Sequence, residues 1–168
     1  MGEDLKQLTR RTWEEILPSG DLDALRAVVD PNCVSHDLPP GAPQGVEGVV
    51  QTIAMLHRAF SEQRYEVHQV IGEGDVVVID ATLHGRHTGV FFGIPPTARE
   101  IALRSIHILR YAGGREAETW ALSDRLGLLQ QLGVAPSEPP RPQPVAAAPD
   151  RLIGRCGPQP SGRELSNV

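Results

Sequence analysis

The sequence lacks the features that mark secreted and membrane-spanning proteins. It contains only two cysteines, Cys33 and Cys156, and their wide separation argues against a disulfide framework. No apolar run approaches the roughly 20 residues that a membrane-spanning helix requires. The first six residues are polar and acidic, without the apolar segment of a signal peptide. We therefore expect a cytoplasmic protein that does not associate with a membrane.

Charge of one sign is not concentrated anywhere in the chain. The formal net charge is −5, from 16 basic and 21 acidic residues that are mixed along 168 residues. A nucleic-acid-binding surface normally needs a cluster of basic residues, so we expect no nucleic-acid partner. The composition, 40% hydrophobic and 22% charged, is that of an ordinary globular chain with one core.

Motifs that hold a metal ion, a phosphate or a catalytic nucleophile are also missing. His84 and His87 are three positions apart and His107 follows later, but no Cys, Glu or Asp completes a usual zinc pattern around them. The chain has no glycine-rich phosphate loop and no nucleophile elbow. We therefore predict no metal site and no cofactor.

Hydrophobic periodicity predicts helices in the first half of the chain and strands in the second. Apolar residues at helical spacing predict helices over 3–17, 21–29 and 46–60, with a short extended piece at 32–37. The period then changes to two, which predicts two antiparallel strand pairs with turns at 72–75 and 113–114, followed by a last helix that ends at Gly133. Because prolines replace large apolar residues after Ala135, we predict one domain over 1–135 and a flexible proline-rich tail over 136–168.

Most of the chemistry-bearing residues fall in one stretch, 84–133. Alternation along a strand places Trp120, Leu122 and Asp124 on one face, and Ser105 and His107 on one face of the preceding strand. A carboxylate and an imidazole could therefore meet in one apolar cavity.

The stretch 91–97, which lies between the two strand pairs, is too apolar for a solvated loop and too rich in proline and glycine for a strand. We expect it to form a flap over the pocket mouth. If Phe91 and Phe92 were both exposed to water, they would form an unfavourable apolar patch, so we expect them to cover a ligand or another subunit.

Several motifs resemble those of SnoaL-like polyketide cyclases, which belong to the nuclear-transport-factor-like superfamily. The resemblance extends from about Leu5 to Gly133. It is carried by His87-Thr88-Gly89, Gly93-Ile94-Pro95-Pro96-Thr97, His107-Ile108-Leu109-Arg110, Trp120, Asp124 and Leu128-Leu129-Gln130-Gln131-Leu132-Gly133. It implies an α+β fold: a cone-shaped barrel in which a curved antiparallel sheet wraps around N-terminal helices and encloses an internal pocket.

The resemblance also implies catalytic roles for two residues. The family's aspartate on the final strand corresponds to Asp124, and its histidine on the preceding strand corresponds to His107. In the family this pair supports aldol ring closure of a polyketide ester, with the aspartate as acid and base. A carboxylate in an apolar cavity has a raised pKa and can accept a proton, while a histidine can steady the enolate.

A hydrophobic small-molecule substrate would contact further residues around the same pocket. The candidate substrate-binding residues are His36, His87, Phe91, Phe92 and Trp120. His36 lies in the segment that crosses the cavity mouth in the family, but it could equally be a surface histidine.

Other functions remain open. An epoxide-opening cyclase or hydrolase on the same fold would need a proton donor, a role that His36 or His87 could fill. A ligand-binding or dimerising module without catalysis is the alternative of a different class, because a fold does not fix a function. Asp124 could also serve only as the N-cap of the last helix.

In the predicted strands 101–109 and 119–122, apolar residues stand at both odd and even positions, so they point to both faces of the sheet. Both faces of the sheet should therefore be covered, the outer one by another copy of the chain. This pattern, and the resemblance, predict a homodimer or higher homo-oligomer.

Overall fold

The chain forms its secondary structure in the order that the change of period predicts. The computed structural model describes residues 2–38 and 41–136. A π-helical turn, Thr12–Ile16, joins the first two helices. The helices are α1 (Gly2–Arg11), α2 (Leu17–Ser19), α3 (Leu22–Val28), α4 (Val46–Ala59) and α5 (Arg125–Leu132). The strands are β1 (Val29–Ser35), β2 (Phe60–Glu73), β3 (Val76–His87), β4 (Glu100–Ala112) and β5 (Arg115–Ser123). Except for Pro136, the predicted tail lies outside the described residues.

The strands form one curved, unclosed sheet in the order β1-β5-β4-β3-β2. Three neighbouring pairs are antiparallel, whereas β1 runs parallel to β5 along one edge. Register shifts interrupt the β2–β3 and β4–β5 pairings, and such bulges bend a strand and increase its twist. The predicted α+β architecture, with N-terminal helices and a curved sheet, is confirmed.

Glycines end the elements where the sequence predicts a reversal. Gly113 and Gly114 have φ of 57° and 77°, the backbone of a tight turn that joins β4 to β5 without splaying the strands. Gly133, with φ of 79°, donates its N–H to the last turn of α5 and ends it.

Two clusters of buried side chains hold the helices on the concave face of the sheet. The first joins the π-helical turn and α3 to the sheet through Trp13, Leu25 and Leu109. The second joins the flap and α5 to the other end of the sheet through Phe91 and Leu128. Members of both clusters line a cavity, which lies between the helices and the concave face.

Among the described residues, no helix combines the length and the hydropathy that crossing a membrane requires.

Candidate active site

An apolar cavity of about 500 Å³ lies between the N-terminal helices and the inner face of the sheet. Its size falls in the range of roughly 300–1,000 Å³ that is usual for small-molecule pockets. The exposed residues among its lining, Asp37, Phe92 and Arg125, mark its mouth. Leu25 and Glu116 are buried members of the lining, on α3 and near the start of β5.

His107 faces this cavity from β4. Its ring lies edge-on to that of Trp13, with centroids 5.3 Å apart, and its Nε2 lies 3.1 Å from the Ser105 hydroxyl. Burial lowers the pKa of His107 to about 4, although the negative charge of Asp37 acts in the opposite direction. The imidazole is therefore neutral at neutral pH and retains one N–H that can donate a hydrogen bond.

Asp37 brings a carboxylate to the same region of the cavity. It follows β1 in a turn, and its Oδ2 accepts a hydrogen bond from the Ala121 N–H of β5. The carboxylate thus continues the pairing of β1 with β5 beyond Ser35, where the strand ends. Ala121 lies opposite His107 in the β4–β5 register, so Asp37 and His107 flank it, and the charge of Asp37 acts on the imidazole.

Asp124 does not enter this cavity. It is exposed, and its Oδ1 accepts a hydrogen bond from the Gly127 N–H at 2.8 Å, which makes it the N-cap of α5. The expectation that Asp124 and His107 meet in one cavity is therefore wrong. The physical reason is alternation along β5: Thr119, Ala121 and Ser123 line the cavity at the end of the strand that precedes α5, and Asp124 is not among the lining residues.

Trp120 and His36 lie together on the outer face of the sheet, away from the cavity. Their rings are stacked, with centroids 4.8 Å apart and an interplanar angle of 5°. The Nε2 of His36 lies 2.9 Å from Oε1 of Glu118. Trp120 and Leu122 share one face of β5, as predicted, but that face points outwards. The expectation that Trp120 and His36 line the pocket is therefore wrong.

His87 is fully buried and anchors the flap instead of lining the cavity. The Thr97 N–H donates to its Nδ1 at 3.2 Å, and the Thr97 hydroxyl lies 3.0 Å from the same atom. Because Nδ1 accepts, the ring proton is on Nε2, which has no partner among the described residues. These contacts tie the end of β3 to the far end of the flap, and the ring of His87 also packs against Phe60 of β2 at 5.4 Å.

The two phenylalanines of the flap do line the cavity, as predicted. Phe91 is 7% exposed and Phe92 is 65% exposed, and their rings meet edge to face at 4.7 Å. Phe91 therefore belongs to the wall of the cavity, whereas Phe92 stands at its mouth.

Glu116 is a cavity residue that sequence reasoning missed. It is 7% exposed, and burial alone raises its pKa to about 7. No cation and no hydrogen-bond donor reaches its carboxyl group within the part of the chain that the structure describes. In the sequence it stands between Arg115 and Glu118 in a strand that looks solvated. No local signal distinguishes it.

Comparison with known proteins identifies the family. Residues 7–132 match the model of the SnoaL-like polyketide cyclases. The chain is 31% identical to nogalonic acid methyl ester cyclase of Streptomyces nogalater over 94 residues, which cover 55% of this chain and 70% of that one. Among solved structures, TsrD from Streptomyces laurentii matches with a TM-score of 0.73 and 26% identity, over 80% of this chain and 98% of that one. IdmH from Streptomyces antibioticus matches with a TM-score of 0.66 and 31% identity, over 77% of this chain and 99% of that one. The chain belongs to the SnoaL-like polyketide cyclases, and its assignment to this enzyme family from sequence motifs is confirmed.

Proposed function

We propose that the protein closes a ring in a polyketide ester by intramolecular aldol addition, with Asp37 and His107 as the acid/base pair. The observation that carries this proposal is the approach of a carboxylate and a neutral imidazole at one side of an apolar cavity. The substrate class follows from the relative in Streptomyces nogalater, which is a cyclase of nogalonic acid methyl ester.

The proposed reaction begins with proton transfer from carbon. Asp37 accepts the proton from the carbon next to a carbonyl group, and the electron pair of the C–H bond moves towards the carbonyl oxygen. His107 donates a hydrogen bond to that oxygen and stabilises the enolate. A Ser105 hydroxyl that donates to Nε2 keeps the imidazole proton on Nδ1, which is then the donor.

Ring closure completes the reaction without a leaving group. The enolate carbon forms a bond to a second carbonyl carbon of the same molecule, whose oxygen becomes an alkoxide. The protonated Asp37 returns its proton to that oxygen. The product is an isomer of the substrate, and these steps need no cofactor, because every proton donor and acceptor is a side chain of this protein.

The cavity lining supports a flat, polycyclic substrate. Trp13, Phe91 and Phe92 present aromatic surface to the cavity, and aromatic rings stabilise one another in stacked or edge-on contacts. The remaining wall is mostly aliphatic. Epoxide opening is less well supported, because neither of its two candidate proton donors, His36 and His87, lines the cavity.

Turnover of nogalonic acid methyl ester tests the proposal. The purified protein, in buffer with a metal chelator, should convert the ester into a product of identical mass and a new ring, detected by chromatography and NMR. Reaction in D₂O should place deuterium at the carbon that is deprotonated if the proton exchanges before closure. Tight binding of the ester with no conversion would instead support a ligand-binding module.

A further inference from the structure

We propose that Glu116 is a specificity residue, which hydrogen-bonds a hydroxyl group on the end of the substrate that is remote from the ring-closing carbons. This inference rests on the proposed function, because it assumes a polycyclic substrate that extends from the cavity mouth to its inner end. It assigns no catalytic role to Glu116.

The position of Glu116 in the cavity supports this role. Glu116 pairs with Val29 of β1 and with Tyr111 of β4, near the β4–β5 turn. His107 is four positions from Tyr111 along β4, which corresponds to about 13 Å of strand. The acid/base pair and Glu116 therefore lie at separate places along the sheet. A linear fused-ring molecule in the cavity could contact both.

The surroundings of Glu116 leave its carboxyl group without a partner. Cys33 and Tyr111 are its titratable neighbours, and both are uncharged at neutral pH, because burial raises the pKa of each to about 12. Tyr111 is already bonded, since its hydroxyl lies 2.8 Å from that of Thr9. Burial disfavours the charged carboxylate, and a ligand that supplies a hydrogen bond to the carboxyl group inside the cavity offsets part of that cost on binding.

The chemistry of the site favours a neutral hydroxyl group. A carboxyl group that titrates near neutral pH can accept a hydrogen bond from a phenolic hydroxyl or donate one to its oxygen. A site that hydrogen-bonds a substrate hydroxyl discriminates strongly against the analogue without it, because the carboxyl group would then be buried unpaired.

Binding of two matched probes tests this inference without turnover. The probes are 2-hydroxyanthraquinone and 2-methylanthraquinone, which have similar shapes but differ in hydrogen bonding. Calorimetric titration of the parent chain at pH 7 should show tighter binding of the hydroxylated probe, by roughly tenfold or more. Glu116→Leu should remove this preference and leave the affinity for the methyl probe unchanged or higher. Glu116→Gln should keep part of it, because an amide can donate and accept.

Glu118→Gln is the matched control, because Glu118 lies on the same strand but on the outer face, where Arg110 and His36 bind it. It should keep the full preference of the parent. The inference would be overturned if the parent bound the two probes equally or bound neither. It would also be overturned if the preference survived in Glu116→Leu. The parent could also prefer the hydroxylated probe through Glu116 and yet fail to close a ring in the ester. That result would refute the proposed reaction and support this inference.

Discussion

Glu116 and Glu118 are two residues apart on β5 and yet lie on opposite sides of the sheet. The β4–β5 register shifts between Arg110 and Tyr111, so that Arg110 pairs with Glu118 and Tyr111 with Glu116. Without this bulge the two glutamates would share a face, since side chains of equal parity point the same way in a regular strand. The bulge therefore turns one carboxyl group into the cavity and leaves the other in an ion pair with Arg110.

Burial of Glu116 should make stability fall as pH rises. Its folded-state pKa of about 7 lies above the reference value of 4.5, so between these values the native state binds more protons than the unfolded state. The stability contributed by the protonated carboxyl group is fully present below pH 4.5 and is lost as the pH rises to 7, by about 3 kcal/mol. The difference in the free energy of unfolding between the parent and Glu116→Gln, measured with urea at pH 5 and pH 8, isolates this loss, because the opposite contribution of His107 is common to both proteins. An equal pH dependence in both proteins would contradict the buried, unpaired state of Glu116.

His107 should remain neutral well below the usual titration range of histidine. Because burial lowers its folded-state pKa to about 4, the unfolded state binds more protons between pH 6.5 and pH 4, and stability falls as the pH is lowered through that window. NMR spectra of the ring nitrogens should show a neutral imidazole at pH 5.5. His107→Leu should lower kcat by roughly 10²-fold or more, because leucine has no N–H to donate to the enolate. A His107 ring that titrates near pH 6.5 would show that it is solvated.

Phe92 should act on substrate binding more than on folding. Its ring is 65% exposed at the cavity mouth, so Phe92→Ala should change the free energy of unfolding by less than about 1 kcal/mol and raise KM. Val90→Ala is the control, because Val90 lies just before the flap, is 64% exposed and does not line the cavity. Equal values of KM in both variants would mean that Phe92 does not contact the substrate.

We propose that the outer face of the sheet pairs with a second copy of the chain. This face exposes apolar side chains of β4 and β5, and contact between two identical faces would remove them from water. The apolar residues are Ile106, Ile108, Trp120 and Leu122. Light scattering at micromolar concentration should give the mass of a dimer for the parent and of a monomer for Leu122→Glu. Val134→Glu, another exposed apolar position, should stay dimeric. A monomeric parent would refute the proposal.

The sequence predicts the elements well because their signals are local. The change of period after α4, the glycine pair at 113–114 and Gly133 mark β2, the β4–β5 turn and the end of α5 where the structure has them. The site is less predictable, since parity shows which residues share a face but not which face is inside. Parity predicts that Trp120 and Leu122 share a face, which they do, but that face is the outer one. The position of Asp37 beside the cavity depends on the pairing of β1 with β5, and that of Glu116 depends on a bulge in β5. Local sequence patterns show neither feature.

The central claim is that Asp37, and not Asp124, is the carboxylate that moves the proton. The most direct test compares kcat for nogalonic acid methyl ester in Asp37→Asn and Asp124→Asn. Asp37→Asn should lower kcat by roughly 10² to 10⁴, the usual contribution of a positioned general base. Asp124→Asn should keep the parental kcat and stability, because asparagine caps a helix about as well as aspartate. A large loss of kcat in Asp124→Asn together with parental turnover in Asp37→Asn would contradict the account.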